Sequence, residues 1–402
     1  MLHYQQARQT VIEKVAAAAP KPQAETVPLA QALSRVLAED VAADRDYPPF
    51  HRSTRDGFAV RAADVARVPA TLKRLGEVAA GHRFAGAVGA GQCVQIMTGA
   101  PLPAGADAVV MVEYTELQGD AVVIQRSLRP GSNVVPQGKE AHQGDLLLAA
   151  GARIGYPEVS LLGQVGKAQL QVSRRPRVAV LSTGDEIVPL EQVPGPNQIR
   201  NSNAHSMAAQ VTLSGGEPVA LGNARDELGE LERLVRRGLR EDLLVLTGGV
   251  SMGKYDLVEV VLRQLGAEFH FDAVAIRPGR PVVFCTCQDK FVFGLPGNPV
   301  STMVTFELFL VPAIALLLGA RPAPLRFLKA RLADRVEQKT KLTMFLPARL
   351  EGERAQVSVR PVRYQGSGDV AAVGRSDCFL VVPDNVSELA AGAWADVLLP
   401  LG

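Results

Sequence analysis

Residues Leu243–Leu262 read LLVLTGGVSMGKYDLVEVVL. An apolar run stops at Gly248–Gly249. A hydroxyl (Ser251), a cation (Lys254) and a carboxylate (Asp256) follow, and then apolar residues recur at helical spacing. A short, continuously apolar strand turning through glycines into an amphipathic helix is the signature of a βα unit in a sheet buried on both faces. The same texture recurs around it. RVAVL (177–181) and FVFGL (291–295) are further apolar strands. The segments 203–216, 227–239 and 300–310 have helical patterns between or after them. Strands and helices alternating at this length predict a three-layer α/β domain with a parallel sheet, over residues 176–324.

The flanking texture differs. Residues 6–18 (QARQTVIEKVAAA) place Ala7, Val11, Ile12 and Val15 on one helical stripe. Residues 27–41 do the same with Leu29, Ala32, Leu33, Val36 and Leu37, and 146–166 is helical in its second half. These segments, 1–45 with 146–175, predict an elongated helical domain. Between them, CVQIM, AVVMVEY and AVVIQ alternate with Gly and Pro turns, which predicts an inserted β domain at 46–145. QVSVR, CFLVVP and WADVLLP predict a small C-terminal β-barrel or sandwich domain at 325–402. The fold class expected is therefore multidomain α/β plus β.

Composition narrows the function. In 402 residues, 43 basic side chains balance 41 acidic ones, for a formal charge of +2. No basic face for nucleic acid is indicated. MLHYQQARQTVIEKV lacks the apolar core of a signal peptide, so a cytoplasmic protein is expected. VTFELFLVPAIALLLGA (304–320) carries Glu307 and Pro312 and falls short of the about 20 residues a bilayer span needs. It is expected to be a buried or dimer-contact helix rather than a membrane span. Cys93, Cys285, Cys287 and Cys378 are expected to be free thiols, and the CTC pair at 285–287 to be buried in a strand rather than ligating metal.

Three strand-to-helix turns carry the chemistry: STGDE (182–186), TGGVSMGKYD (247–256) and GLPGNPVS (294–301). In a parallel sheet such turns share one edge, where ligands bind. Glycine lets backbone N–H groups approach a ligand, and helix N-termini favour an anion. GGVSMGK fits the start of a P-loop, but Tyr255 stands where a Ser or Thr must hold Mg²⁺. GAVGAG (86–91) lacks the strand and helix of a dinucleotide fingerprint. There is no G-x-S-x-G or H-E-x-x-H, and no histidine pair at metal spacing. Carboxylates beside anion-binding turns suggest cation-assisted chemistry on a phosphate ester or oxyanion.

At these turns the chain resembles the molybdopterin molybdenumtransferase (MoeA) family, which includes the E domain of gephyrin. LAQALSRVLAEDVAADRDYPPFHRSTRDGFAV (29–60) and IMTGAPLPAGADAVVMVE (96–113) are similar to two family signatures. STGDE, TGGVSMGKYD, RPGRP (277–281), GLPGNPVS and QGSGD (365–369) follow in family order. The resemblance implies a MogA-like α/β domain and an elongated homodimer. It also implies insertion of molybdate into adenylylated molybdopterin with release of AMP, a requirement for Mg²⁺, and possible contact with the molybdopterin adenylyltransferase. Carried over residue by residue, it implies catalytic roles for Asp56, Thr98, Glu140, Glu186, Asp226 and Asp256. Asp185, Glu186 and Asp256 would hold the metal. Cofactor contacts would come from Ser182, Thr183, Gly184, Gly248, Gly249 and Ser251, from Arg277 and Arg280, and from Pro296, Asn298, Pro299, Ser301 and Ser367. Asp56 and Thr98 lie in the β domain, which in the family faces the sheet domain of a second subunit. The chain departs from the family pattern at Glu140, usually Asp, and at Arg277 and Arg280, usually Lys. It departs also at Ala273 and Pro347, often basic, although Arg349 stands close by. Two other readings stay open: adenylylation of molybdopterin, and non-catalytic binding by a paralogue or scaffold.

Overall fold

The computed structural model describes residues 1–249, 257–353 and 356–401. Its centre is a six-stranded sheet. In spatial order the strands are Glu217–Ala224, Arg177–Thr183, Leu243–Thr247, Lys290–Leu295, Pro281–Cys287 and Glu268–Ala273. The first four run parallel, as the apolar runs predict. Pro281–Cys287 runs antiparallel to both of its neighbours, so the sheet is mixed rather than wholly parallel. The change of direction comes from a two-residue hairpin at Gln288 and Asp289, both at positive φ (49° and 61°). That geometry matches the twist of the flanking strands.

Period-two alternation builds the layers. Val178, Val180, Leu243, Val245 and Phe293 face one side, against helices Ser202–Ser214 and Pro299–Leu317. Ala179, Leu181, Leu244, Leu246 and Val292 face the other, against Leu228–Gly238 and Leu257–Gln264. All four cysteines are free and buried. Burial pushes the Cys285 thiol up to about 12, as suits a side chain packed among apolar neighbours.

Helix Tyr4–Ala18 forms as expected, and its stripe Ala7, Val11 and Val15 packs on the α/β core. The periodicity of 28–39 is not realised as a helix. After strand Ala24–Pro28 there is a single 3₁₀ turn, Leu29–Gln31, and Ser34 takes φ 65°. Ala32, Val36 and Leu37 are buried all the same: Ala32 and Leu37 in a cluster made with strand Gln169–Ser173, which pairs antiparallel with Ala24–Pro28, and Val36 against the α/β core. In this segment the only α-helix among the described residues is Tyr156–Gln164. Residues 57–124 carry a second six-stranded sheet. Residues 327–398 form a closed barrel of five strands: Phe327–Leu332, Trp394–Leu398, Cys378–Val382, Thr343–Glu351 and Ser358–Pro361, the last returning to the first.

Helix Pro299–Leu317 is long and apolar enough to cross a bilayer, but 83% of its most apolar window lies inside the protein, packed as a core helix. It widens to a π turn at Phe306–Leu310. Pro312 has no N–H to offer the Leu308 carbonyl four residues back. Arg8, on the N-terminal helix, supplies the donor instead. Its Nη1 donates to Leu308 O (2.9 Å) and its Nη2 to Ala323 O (2.7 Å). Burial holds Arg8 below its usual pKa and Glu307 above its own, with each charge partly offsetting the other's cost. Arg8→Ala strips the buried Leu308 carbonyl and the partly buried Ala323 bond of a charged donor, and leaves Glu307 with Arg326 as its remaining cation. We expect a loss of about 2–4 kcal/mol. The check is the denaturant midpoint; Arg8→Lys, a point donor that cannot span both carbonyls, should recover only part of the loss.

Candidate functional site

The four parallel strands end side by side, and their turns form one rim. Gly184 sits at φ 133°, Gly248 at 89° and Gly249 at 63°. A Cβ on Gly248 would stand 2.6 Å from Thr183 O, so no side chain fits there. Gly184 N donates to Ala224 O (3.1 Å) and Gly248 N to Leu295 O (3.2 Å), which ties each turn to the strand beside it.

These turns enclose a cleft of about 920 Å³. Of the residues singled out in the sequence, Ser182, Thr183, Gly184, Glu186, Asp226, Gly248, Gly249, Pro296, Asn298 and Pro299 line it. Asp185 stands directly behind Asp226, whose backbone N–H it accepts (3.2 Å). Partial burial, and then the Asp185 and Glu186 charges, push the Asp226 carboxyl above the ordinary aspartate range. Asn298 occupies the N-cap position of helix Pro299–Thr305 but makes no capping bond with its side chain, which is exposed at the cleft. Thr183 Oγ1 is buried with no partner among the described residues.

Other expected residues stand elsewhere. Ser301 is 3% exposed and lies behind the cleft, its carbonyl accepting from Thr305 Oγ1 (2.8 Å). Ser367 reaches the region through its backbone, its carbonyl accepting from Val300 N (3.0 Å), while its neighbours Gly368 and Val370 line the cleft. Arg277 and Arg280 are exposed and do not line it. Ile276–Arg277 pairs with barrel strand Thr343–Glu351, whereas Pro281, at the other end of RPGRP, lines the cleft. Asp56, Thr98 and Glu140 lie in the inserted domain and do not line the cleft of this chain. Asp56 Oδ1 accepts from both Thr98 N (2.7 Å) and Thr98 Oγ1 (2.9 Å), and these bonds hold its carboxyl below the usual range. Glu140 pairs with Arg52 at 2.6 Å. Ser251 and Asp256 lie outside the described residues. Among the described residues, no three His, Cys, Asp or Glu side chains gather as a metal site would require.

Three asparagines absent from the sequence reading hold the rim together. Asn201 Oδ1 accepts from Ser182 Oγ (3.0 Å) and from Ala204 N (3.1 Å), capping its helix and pinning the first turn. Asn223 Nδ2 donates to Gly184 O (2.8 Å). Asn203 Nδ2 donates to Gly297 O (2.7 Å) and Thr247 Oγ1 (3.0 Å). The cap at Asn201 was readable, since Asn after a strand and before a helical pattern is a start signal. The other two bonds join residues far apart in sequence, and no local signal announces them.

Residues 2–166 match the MoeA N-terminal region (domain I and II), residues 179–316 the family described as "Probable molybdopterin binding domain", and residues 329–399 the MoeA C-terminal region (domain IV). A molybdopterin molybdenumtransferase of Bacillus subtilis is 35% identical over 385 residues, covering 93% of this chain and 89% of its own. One from Staphylococcus aureus is 32% identical over 379 residues, covering 93% and 90%. Among solved structures, a molybdopterin biosynthesis MoeA protein of Pyrococcus horikoshii superposes with a TM-score of 0.77 at 34% identity, over 99% of both chains. A second structure of such a protein from the same organism gives 0.81 at 26% identity, over 99% and 100%. With three consecutive family regions and full-length relatives in agreement with the cleft just described, this chain belongs to the molybdopterin molybdenumtransferase (MoeA) family.

Proposed function

We propose that this protein acts in molybdenum cofactor biosynthesis as a molybdopterin molybdenumtransferase. It takes molybdate and adenylylated molybdopterin, inserts the metal into the pterin dithiolene and releases AMP. The observation that carries this reading is one cleft with two chemistries. Backbone turns at Gly248–Gly249 and Pro296–Asn298 suit a phosphate-bearing ligand, and the Glu186 and Asp226 carboxylates line the same cleft, with Asp185 bonded to the Asp226 backbone. The thiolates that receive molybdenum belong to the pterin, which agrees with four buried, inert cysteines.

Oxygen-only donors fit a hard cation, and Mg²⁺ would be held by Asp185 and Glu186, with Asp226 beside them. When bound it would neutralise charge between these carboxylates and the phosphates. The chain's own groups bind and orient: the glycine turns receive the phosphate, and the uncommitted Asn298 side chain meets the pterin. Arg277 and Arg280, exposed near the barrel, suit an incoming oxyanion, which guanidinium binds in a fork. Asp56, Thr98 and Glu140 do not line the cleft of their own chain, which supports completion of the site by a second copy in a homodimer. The protein works in the cytoplasm and receives its substrate from the molybdopterin adenylyltransferase.

The test is AMP release from adenylylated molybdopterin with Mg²⁺, with and without molybdate. We expect release that depends on molybdate. ATP-dependent adenylylation of molybdopterin would instead make this the preceding enzyme, and binding without release would make it a carrier. A second expectation concerns Asp226. Its folded pKa lies above the unfolded value of 3.8, so protonation stabilises the native state. That contribution is complete below 3.8 and lost as pH rises through the folded value, leaving the ionised group a liability at neutral pH. Asp226→Asn should therefore raise Tm near pH 7, leave it unchanged below about pH 4, and lower the rate of AMP release. A higher Tm with undiminished release would remove Asp226 from the site.

A further inference from the structure

The turn that follows strand Lys290–Leu295 is bracketed by Pro296 and Pro299, and neither can donate a backbone hydrogen bond. Its carbonyls are held from outside. Gly297 O accepts from Asn203 Nδ2 at 2.7 Å. Pro296 O lies 2.6 Å from Thr302 Oγ1 and 3.1 Å from Thr247 Oγ1. Asn298 O accepts from Thr302 N at 3.0 Å. Thr247 Oγ1 in turn accepts from Asn203 Nδ2 at 3.0 Å. Thr247 is 3% exposed and Thr302 fully buried, so solvent does not compete for their bonds to Pro296 O, whereas the Asn203–Gly297 bond lies at the cleft surface.

The orientation of the Asn203 amide follows from its partners. Gly297 O only accepts, so the nitrogen must face it, and a flipped amide would set oxygen against oxygen. Both Asn203 N–H groups are thereby spent across two turns, while Asn203 Oδ1 is left buried and unpartnered among the described residues. An unpaired buried acceptor costs stability, and a smaller or apolar residue would avoid that cost. The residue that bears it here links the end of strand Leu243–Thr247 to the turn that presents Asn298.

The geometry points to Asn203 as a positioning residue: through Thr247 and Gly297 it holds the Pro296–Pro299 turn in the shape that binds the pterin ligand. The ligand's identity rests on the function proposed above; the tether itself does not. Two measurements separate them. Hydrogen exchange of the peptide covering Phe293–Val300 should rise in Asn203→Ala and in Thr247→Val, and stay at the wild-type level in Thr247→Ser, which keeps the hydroxyl. Unchanged exchange in the first two variants overturns the tether whatever the ligand is. Molybdopterin binding, followed by pterin fluorescence, should weaken about tenfold in Asn203→Ala, the scale of one lost hydrogen bond. Thr247→Val should weaken it similarly, the double variant by no more than the worse single one, and Thr247→Ser not at all. Fully additive losses, or wild-type binding by Asn203→Ala, overturn the proposal. If Asn203→Ala does not fold, Thr247→Val, nearly isosteric with the native residue, carries both arms. Wild-type protein that fails to bind molybdopterin would sink the functional reading and leave the exchange result to decide the tether.

Discussion

The close approach of Gly248 to the Thr183 carbonyl is the constraint on which the cleft depends. With a Cβ there at 2.6 Å from that oxygen, strands Arg177–Thr183 and Leu243–Thr247 could not end in register. The effect spreads because the turns touch one another. Gly248 N is bonded to Leu295 O, and a Cβ on Gly297 would stand 3.5 Å from Gly248 Cα. Displacing one turn therefore displaces its neighbours. The left-handed pair Gly248–Gly249 is a position only glycine fills without strain, and the helices, caps and carboxylates around it are arranged to that fixed edge.

What could be read in the sequence was whatever has a local cause. Continuous apolar runs gave away the buried strands, and the glycines and acids of STGDE, TGG and LPGNP gave away the rim. Residues 28–39 misled because periodicity registers burial, not conformation. Ala32, Val36 and Leu37 are buried as a helix would bury them, yet Ser34 at φ 65° breaks any helix, and Leu37 bridges to Val172. The hairpin at Gln288–Asp289 also escaped notice, since neither residue is the Gly or Asn that usually marks such a turn. RPGRP is placed by a non-local pairing. Its motif pointed to the cleft, but a two-residue pairing with the barrel, which no local pattern records, sets where Arg277 stands.

Non-local compensation explains the rest. Pro312 in an apolar helix reads as a break. The helix continues because its orphaned Leu308 carbonyl finds Arg8, 300 residues earlier in the chain. Asn203 and Asn223 work alike, repairing the backbone of turns that lack their own donors or need an outside clasp. Each such bond joins a residue unremarkable in its own sequence window to a gap created in another. The resemblance to a family supplied the site residues Asp56 and Thr98, whose pairing spans 42 positions. It could not supply these supports, because motifs record what meets the ligand more readily than what holds those groups in place.

An anionic guest and a cation, as proposed above, would suit one another in this cleft. Turns that offer backbone N–H groups attract phosphate, yet Asp185, Glu186 and Asp226 beside them repel it; partial burial, and then the Asp185 and Glu186 charges, raise the Asp226 pKa. A phosphate alone would meet opposing fields. A divalent cation, if held by Asp185 and Glu186, would offset the carboxylate charge that a phosphate at the turns would otherwise meet. Under the proposed function, the unfavourable charge at Asp226 would be a cost that the fold carries and that cation binding would relieve.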